Sequence, residues 1–198
     1  MDFYQETIVD LIVENHQAIG VLTSLGVKIY GKSIILTNGT FLNGLIHIGD
    51  KNYGGGRAGE KASIGLTGRL NTLGFKSGRM KTGTPPRLDA RTINFQNLEE
   101  QCADKDPYFF SFLTKKNFNK QVSCRMTYTN DEVHKIISKN IKRSAIYSGS
   151  IKGVGPRYCP SIEDKVVKFS NKHRHQIFLE PEGLNDHTIY PNGISTSL

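Results

Sequence analysis

The sequence predicts a mixed α/β fold, and three observations support that prediction. The first 37 residues contain short apolar runs separated by Gly and Asn. Residues 130–141 have the spacing of one amphipathic helix, and residues 175–195 hold two more apolar runs around a turn. The chain has 198 residues, of which 37% are hydrophobic and 22% charged, so we expect one well-packed domain or two small ones.

The N-terminal part predicts a β-meander that leads into one last strand. Turn residues at 15–17 separate the first two of four apolar runs, which are 6–14, 18–24, 27–31 and 33–37. The last run leads directly into the tight turn Asn38-Gly39-Thr40. Open α/β sheets bind ligands at the edge where such strands end, so this turn is a candidate ligand-binding segment.

Three helices are expected further along the chain. The first covers residues 60–74, and the second covers 130–141, where Thr129 and Glu132 have capping-box spacing. The second helix should bury one apolar face, made of Val133, Ile136, Ile137 and Ile141. A third helix should begin near Ser161, which has an acid three residues later.

The formal net charge of +8 favours an anionic partner such as nucleic acid or a nucleotide. The alternative is a basic surface that only keeps the protein in solution. The three cysteines are an odd number with no C-x-x-C spacing, which argues against a disulfide framework and favours a reducing compartment. No run approaches the roughly 18 apolar residues of a membrane span, and no charged segment followed by an apolar one opens the chain, so we expect a cytoplasmic protein. The six histidines form no zinc pattern, so we expect no metal site.

Gly54, Gly56 and Gly59 match the dinucleotide-binding pattern G-x-G-x-x-G. The residues before them are polar and turn-like, and no acid follows about 20 residues later, so we reject a Rossmann phosphate turn. A smaller hypothesis remains, in which Gly55, Gly56 and Arg57 precede a helix and bind an anion. The alternative is that these glycines serve only close packing or a positive φ.

Residues 155–165, GPRYCPSIEDK, hold the most informative cysteine. Cys159 stands shortly before a helix start and two residues from Arg157, and both features favour the thiolate. A thiolate can add to an electrophilic carbon such as carbon 6 of a pyrimidine. The alternative is a small buried hydrophobe, the usual role of a free cysteine. Cys124 lies in an expected strand, and Cys102 lies in a polar loop without an activating neighbour.

Several long strings, in this order, resemble the MnmG family, also called the glucose-inhibited division protein A family, whose members modify the wobble uridine of tRNA. The strings are ILTNGTFLNGLIHIG, GGRAGE, GRMKTGTPPR, TYTNDEVHKII, YSGSIKGVGPRYCPSIEDKVVKF, RHQIFLEPEG and IYPNGISTSL. Together they cover nearly all of residues 7–198.

The resemblance implies a glutathione-reductase-like FAD domain, present in part, followed by an inserted α/β domain. In this interpretation residues 1–48 are the partial FAD domain with its β-meander and strand. Residues 49–188 are the inserted domain, which faces NADH or tRNA, and residues 189–198 return to the FAD domain. Family members are much longer, so the chain is expected to be an internal fragment that is inactive in isolation.

The resemblance also implies an activity and its partners. Family members are flavoproteins that use FAD and NADH and take a one-carbon unit from methylenetetrahydrofolate. With an MnmE-type GTPase they build a (carboxymethyl)aminomethyl group on carbon 5 of the wobble uridine in tRNA. The full-length proteins are expected to form homodimers.

By the same resemblance, specific residues receive roles. The cofactor-binding residues are Thr37, Asn38, Gly39, Thr40 and Phe41 along the flavin, with Gly55, Gly56 and Arg57 in a nucleotide-facing loop. The expected substrate-binding residues are Lys81 and Arg87, and the expected catalytic residues are Cys159 and its neighbour Arg157.

Two other functions remain open from the sequence. One is a non-catalytic basic module that binds RNA or a nucleotide. The other is a relative of the folate-dependent tRNA uridine methyltransferase, which is also a flavoprotein. The strings YCPSIEDK and FLEPEG argue against the methyltransferase.

Overall fold

The computed structural model describes residues 1–151, 153 and 160–198. The chain divides into two compact units, Met1–Arg79 and Met80–Leu198. The described residues form a mixture of strands and short helices, which confirms the predicted fold class. Within this described part, no helix is long and apolar enough to cross a membrane.

The first unit begins with the predicted meander. Its strands β1 (Ile8–Glu14), β2 (Gln17–Thr23) and β3 (Lys28–Tyr30) pair antiparallel in chain order. The turn between β1 and β2 places Asn15 at φ 47° and His16 at φ 63°. Two successive residues with positive φ are typical of the tight turn whose twist matches a hairpin.

The predicted strand over residues 33–37 is wrong: within the described chain this segment pairs with no other strand. Two of its three apolar side chains are exposed, Ile35 at 84% and Leu36 at 39%. The residue types suit a strand, but a strand also needs a neighbour to take its backbone hydrogen bonds. The next regular element is a hairpin made of β4 (Leu45–Ile48) and β5 (Lys51–Gly54).

Helix α1 (Leu66–Thr72) is shorter than the predicted helix over 60–74. Gly65 has φ 109°, a conformation outside the helical region, so the helix begins only at the following residue. Leu66 is 3% exposed, and Arg69 Nε lies 3.3 Å from Asp10 Oδ1 in β1. These contacts hold α1 against the meander.

The second unit contains a five-stranded antiparallel sheet in the order β6-β10-β9-β8-β7. Its strands are β6 (Leu88–Asp89), β7 (Glu99–Gln101), β8 (Cys124–Tyr128), β9 (Gln176–Pro181) and β10 (Thr188–Asn192). The two strands predicted after residue 175 are confirmed as β9 and β10, which pair antiparallel.

The domain bounds expected from the family stay a prediction. Along the chain, the boundary between the two compact units falls between Arg79 and Met80. The expected bound at residue 48 falls at the turn of the β4-β5 hairpin, and the bound at residue 188 falls at the first residue of β10.

Helix α2 (Asp131–Asn140) matches the predicted helix, but its cap is one residue later than expected. Asn130 is the N-cap, and its Oδ1 accepts a hydrogen bond from Val133 N at 2.9 Å. The predicted capping box is therefore wrong. Thr129 Oγ1 instead accepts a hydrogen bond from His175 N at 2.8 Å, which ties the start of α2 to the chain entering β9.

Helix α3 (Ile162–Lys168) begins as predicted. Ser161 caps it, and a reciprocal capping box with Asp164 is present. The Ser161 hydroxyl oxygen accepts a hydrogen bond from Asp164 N at 3.3 Å, while Ser161 N donates to Asp164 Oδ2 at 3.3 Å.

Among its described residues, the second unit has two hydrophobic clusters that share Ile194. The helix cluster is built on Ile137, Ile162 and Val166, and the sheet cluster on Ile177, Leu179 and Ile189. Partly buried Ile194, just after β10, packs against both. Ile136, predicted to be on the buried face of α2, is 59% exposed, whereas Ile137 belongs to the helix cluster and Val133 and Ile141 pack against it.

Two adjacent isoleucines in α2 give a matched test of this packing. Ile137→Ala should lower the free energy of unfolding by about 2–5 kcal/mol, because it leaves a cavity in the helix cluster. Ile136→Ala should change it by no more than about 0.5 kcal/mol, because that side chain is exposed. Urea unfolding followed by circular dichroism measures both, and equal losses would contradict the described face of α2.

Candidate functional site

The structure distributes the predicted site residues over both compact units. Residues 37–41 and 55–57 lie in the first unit, and Lys81 and Arg87 lie in the second. Cys159 and Arg157 lie outside the described residues, so their roles stay predictions.

The first unit brings the two predicted cofactor segments into contact. Thr40 Oγ1 donates a hydrogen bond to the carbonyl oxygen of Gly56 at 2.6 Å. A side chain at position 56 would place its Cβ 2.3 Å from ring atom Cδ1 of Phe41. Glycine is therefore required here so that the backbone can lie against the aromatic ring. We name the contact between residues 37–41 and 55–57 the turn cluster.

The turn within this cluster is exposed and tight. Phe41 N donates to Asn38 O at 3.1 Å, and Gly39 has φ 52°. A Cβ built on Gly39 would meet nothing within 4 Å, so the backbone is open to an approaching ligand. In the preceding apolar segment, Ile35 is 84% exposed and Leu36 39% exposed. These features fit a cofactor that lies against the backbone of the turn.

The structure weakens the hypothesis that Arg57 and the first amides of a following helix bind an anion. Helix α1 begins at Leu66, so its first amides do not follow Gly59 directly as predicted. Arg57 NH1 lies 3.6 Å from Glu60 Oε1, and Gly59 has φ 84°. Close packing at Gly56 and positive φ at Gly59 thus account for two of the glycines without a ligand.

In the second unit, Arg87 is held by several groups. Its Nε pairs with Glu182, and its NH1 donates to Thr84 Oγ1 at 2.7 Å and to Pro85 O at 2.9 Å. The guanidinium also lies 4.4 Å from the ring centre of Tyr190. Arg87 therefore fixes the loop that carries it to β10, and its predicted contact with substrate stays a prediction.

Lys81, the other predicted substrate-binding residue, is buried, with 8% of its surface exposed. Its position differs from that of a lysine on an open RNA-binding surface.

The sequence did not reveal Glu163, a fully buried carboxylate in the first turn of α3. Its Oε1 accepts hydrogen bonds from Thr196 Oγ1 at 2.9 Å and from Ser197 N at 3.0 Å. Ser197 Oγ in turn accepts a hydrogen bond from Ala145 N at 3.1 Å. Among the described residues, Oε2 has no hydrogen-bond partner. Glu163 therefore joins α3, the end of the chain and residue 145.

Glu163→Ala should lower the free energy of unfolding by roughly 2–5 kcal/mol, because it leaves partly buried donors of residues 196 and 197 unpaired. Glu163→Gln should cost less, because an amide oxygen can replace Oε1. The matched control is Glu132→Ala, an exposed acid in the first turn of α2, which should cost less than about 1 kcal/mol. Denaturant unfolding of the three variants checks this order, and equal costs would contradict the Glu163 network.

The two described cysteines differ in environment. Cys102 is exposed. Cys124 is partly buried in β8, and burial together with the charge of Glu180 raises the pKa of its thiol. A raised pKa leaves less thiolate at neutral pH, so Cys124 is a poor nucleophile there.

Alkylation by iodoacetamide at pH 7 should therefore modify Cys124 most slowly. Its rate should rise only at alkaline pH, because burial and the charge of Glu180 raise the pKa of its thiol. Cys159 should be modified fastest, as expected for a thiolate stabilised by Arg157 and a helix start. Mass spectrometry of tryptic peptides gives the three rates, and rapid labelling of Cys102 with a slow Cys159 would contradict the activated-thiolate hypothesis.

The comparisons with known proteins define the class. The model of the family "Glucose inhibited division protein A" matches residues 1–198, so the chain belongs to that family. The fold agrees, because the chain superimposes on the Aquifex aeolicus GidA structure in its form I crystal with a TM-score of 0.84. That match has 55% sequence identity and covers 98% of this chain and 33% of the Aquifex chain.

Two similar proteins from different bacteria have the same name. The chain is 55% identical over 199 residues to the tRNA uridine 5-carboxymethylaminomethyl modification enzyme MnmG of Christiangramia forsetii. It is 58% identical over 194 residues to the protein of the same name from Thermodesulfovibrio yellowstonii. These matches cover 100% and 98% of this chain but only 32% and 31% of the relatives. The chain thus spans about a third of their length.

Proposed function

We propose that this chain serves an FAD- and NADH-dependent enzyme that modifies tRNA, adding the (carboxymethyl)aminomethyl group to carbon 5 of the wobble uridine. The observation that supports the proposal is the match to proteins named for this modification at 55% identity across the whole chain. The relatives are about three times longer, so the proposal concerns the complete enzyme that such a chain would serve.

The proposed role of this chain in the chemistry rests on Cys159. A thiolate adds to carbon 6 of the uracil ring, which makes carbon 5 nucleophilic towards a one-carbon electrophile. After carbon 5 has formed its new bond, it loses its proton, and the thiolate leaves carbon 6 as the double bond re-forms. Arg157 would favour the thiolate by its positive charge.

The turn cluster is the proposed contact with FAD. Residues 37–41 would lie along the cofactor, because the Gly39 backbone is open and the apolar segment before it is uncovered. Gly55, Gly56 and Arg57 would support the turn from the side, since Thr40 donates to the Gly56 carbonyl oxygen. Bound flavin would supply electrons to the reaction.

The other components follow from the family resemblance and are proposals of the same kind. NADH would reduce the flavin, methylenetetrahydrofolate would donate the one-carbon unit, and an MnmE-type GTPase would act with the enzyme. A homodimer in the cytoplasm is the expected form. Lys81 and Arg87 would serve the substrate or nucleotide side of the site.

A second candidate function is a basic module that binds RNA without catalysis, and the net charge of +8 favours it. Such a module would bind tRNA with an affinity that falls steeply with salt, because binding releases counterions. Its binding would not depend on flavin or NADH.

Cys159→Ser, introduced into the protein as the cell makes it, should abolish the carboxymethylaminomethyl group at the wobble uridine, because the serine hydroxyl is a far weaker nucleophile. Nucleoside mass spectrometry of total tRNA measures the modification. Cys102→Ser is the matched control and should leave it unchanged, because Cys102 is exposed and lies in a polar loop.

Full modification in the Cys159→Ser strain would remove the catalytic role of this residue. If deleting the whole chain also left the modification intact while the purified chain bound tRNA, the binding module would replace the enzyme as the better proposal.

A further inference from the structure

The connection between β7 and β8 carries a group of exposed aromatic side chains. Residues 102–123 form neither helix nor strand, and a connection of this length is unusual unless it serves binding. Its fully or almost fully exposed apolar side chains are Tyr108, Phe110, Phe112, Leu113 and Phe118. Such an apolar surface costs free energy in water, so it is expected to bind a partner. We name residues 107–123 the aromatic loop.

Two local turns hold aromatic residues of this loop. The Ser111 hydroxyl oxygen accepts a hydrogen bond from the amide two residues later at 3.2 Å. The Asn117 Oδ1 accepts one from the amide two residues later at 3.0 Å. These side chains close short turns around Phe112 and Phe118, whose rings are exposed. The backbone that carries the two rings is thus restrained before a partner binds, which lowers the entropy cost of binding.

The aromatic loop is also positively charged. Residues 107–123 contain no acid, and the exposed lysines among them are Lys115, Lys116 and Lys120. The acids Asp104 and Asp106 come earlier in the same connection. Lys116 Nζ lies 5.7 Å from the ring centre of Phe118. Rings beside cations match a single-stranded nucleic acid, because its bases stack on the rings and its phosphates attract the cations.

We propose that the aromatic loop binds unpaired bases of an RNA loop. Bases inside a double helix are already stacked on both faces, whereas an unpaired base can turn its face to an aromatic side chain. Lysine is depleted at the centres of protein–protein interfaces. The alternation of exposed rings with exposed lysines therefore favours RNA over a protein partner.

This inference rests on the proposed function for the identity of the RNA, because an enzyme that acts on the wobble uridine must hold the anticodon loop. The surface itself rests on the exposed rings and lysines. RNA binding can be measured without tRNA modification. If the aromatic loop bound RNA while Cys159→Ser left the modification intact, the catalytic proposal would fail and this inference would stand.

Fluorescence anisotropy with two labelled RNAs, an anticodon stem-loop and a fully paired duplex of equal length, tests the aromatic loop in the complete protein as the cell makes it. Phe112→Ala and Phe118→Ala should each weaken stem-loop binding by about fivefold or more, because one stacking contact is lost. Both variants should bind the duplex within about twofold of wild type, since its bases cannot stack on the rings.

Phe169→Ala is the matched control. Phe169 lies outside the aromatic loop and has its own lysine, with Lys172 Nζ 5.6 Å from the ring centre. This variant should change the affinity for either RNA by less than about twofold. Lys116→Met should reduce the slope of log affinity for the stem-loop against log salt by about 0.7, because one phosphate contact is lost.

The proposal would be overturned if both phenylalanine variants bound the stem-loop as tightly as wild type, and the proposed function would then be unaffected. Equal losses for stem-loop and duplex would also overturn it, because unpaired bases would not be recognised. A changed oligomeric state or a lower unfolding temperature of both variants, with unchanged RNA affinity, would assign the aromatic loop to a protein contact instead. A wild-type protein that bound neither RNA would contradict both this inference and tRNA as the substrate.

Discussion

The packing of the second unit depends on the short segment that follows β10, because this segment joins the helices to the sheet. Ile194 packs against both hydrophobic clusters. Ser195 accepts a backbone hydrogen bond from Ile162 at the start of α3, and residues 196–197 donate to the buried carboxylate of Glu163. A carboxylate without solvent is tolerated only where such donors replace the water, so Glu163 and this segment must keep one relative position.

The contacts around α3 also matter for the reaction proposed at Cys159. Cys159 stands two residues before Ser161, the cap of α3, so the network around α3 fixes the point at which the cysteine segment enters the helix.

In the first unit, close packing of backbone against an aromatic ring holds two loops together, and no buried charge takes part. Gly56 lets the backbone lie against the ring of Phe41, and Thr40 ties the two loops together. The turn at Gly39 is thereby held from one side while its other side stays open. Loops that are supported in this way by a rigid neighbour are suited to hold a cofactor.

The sequence by itself determined the local elements: the meander of β1–β3, helix α2, the capping box of α3 and the β9-β10 pair. Each depends on side-chain period, turn residues or caps within a few positions. Only the tertiary structure decided that residues 33–37 form no sheet strand, that Thr129 bonds to His175 rather than capping α2, and that Glu163 and Lys81 are buried. These outcomes depend on partners distant in sequence, which local patterns do not specify.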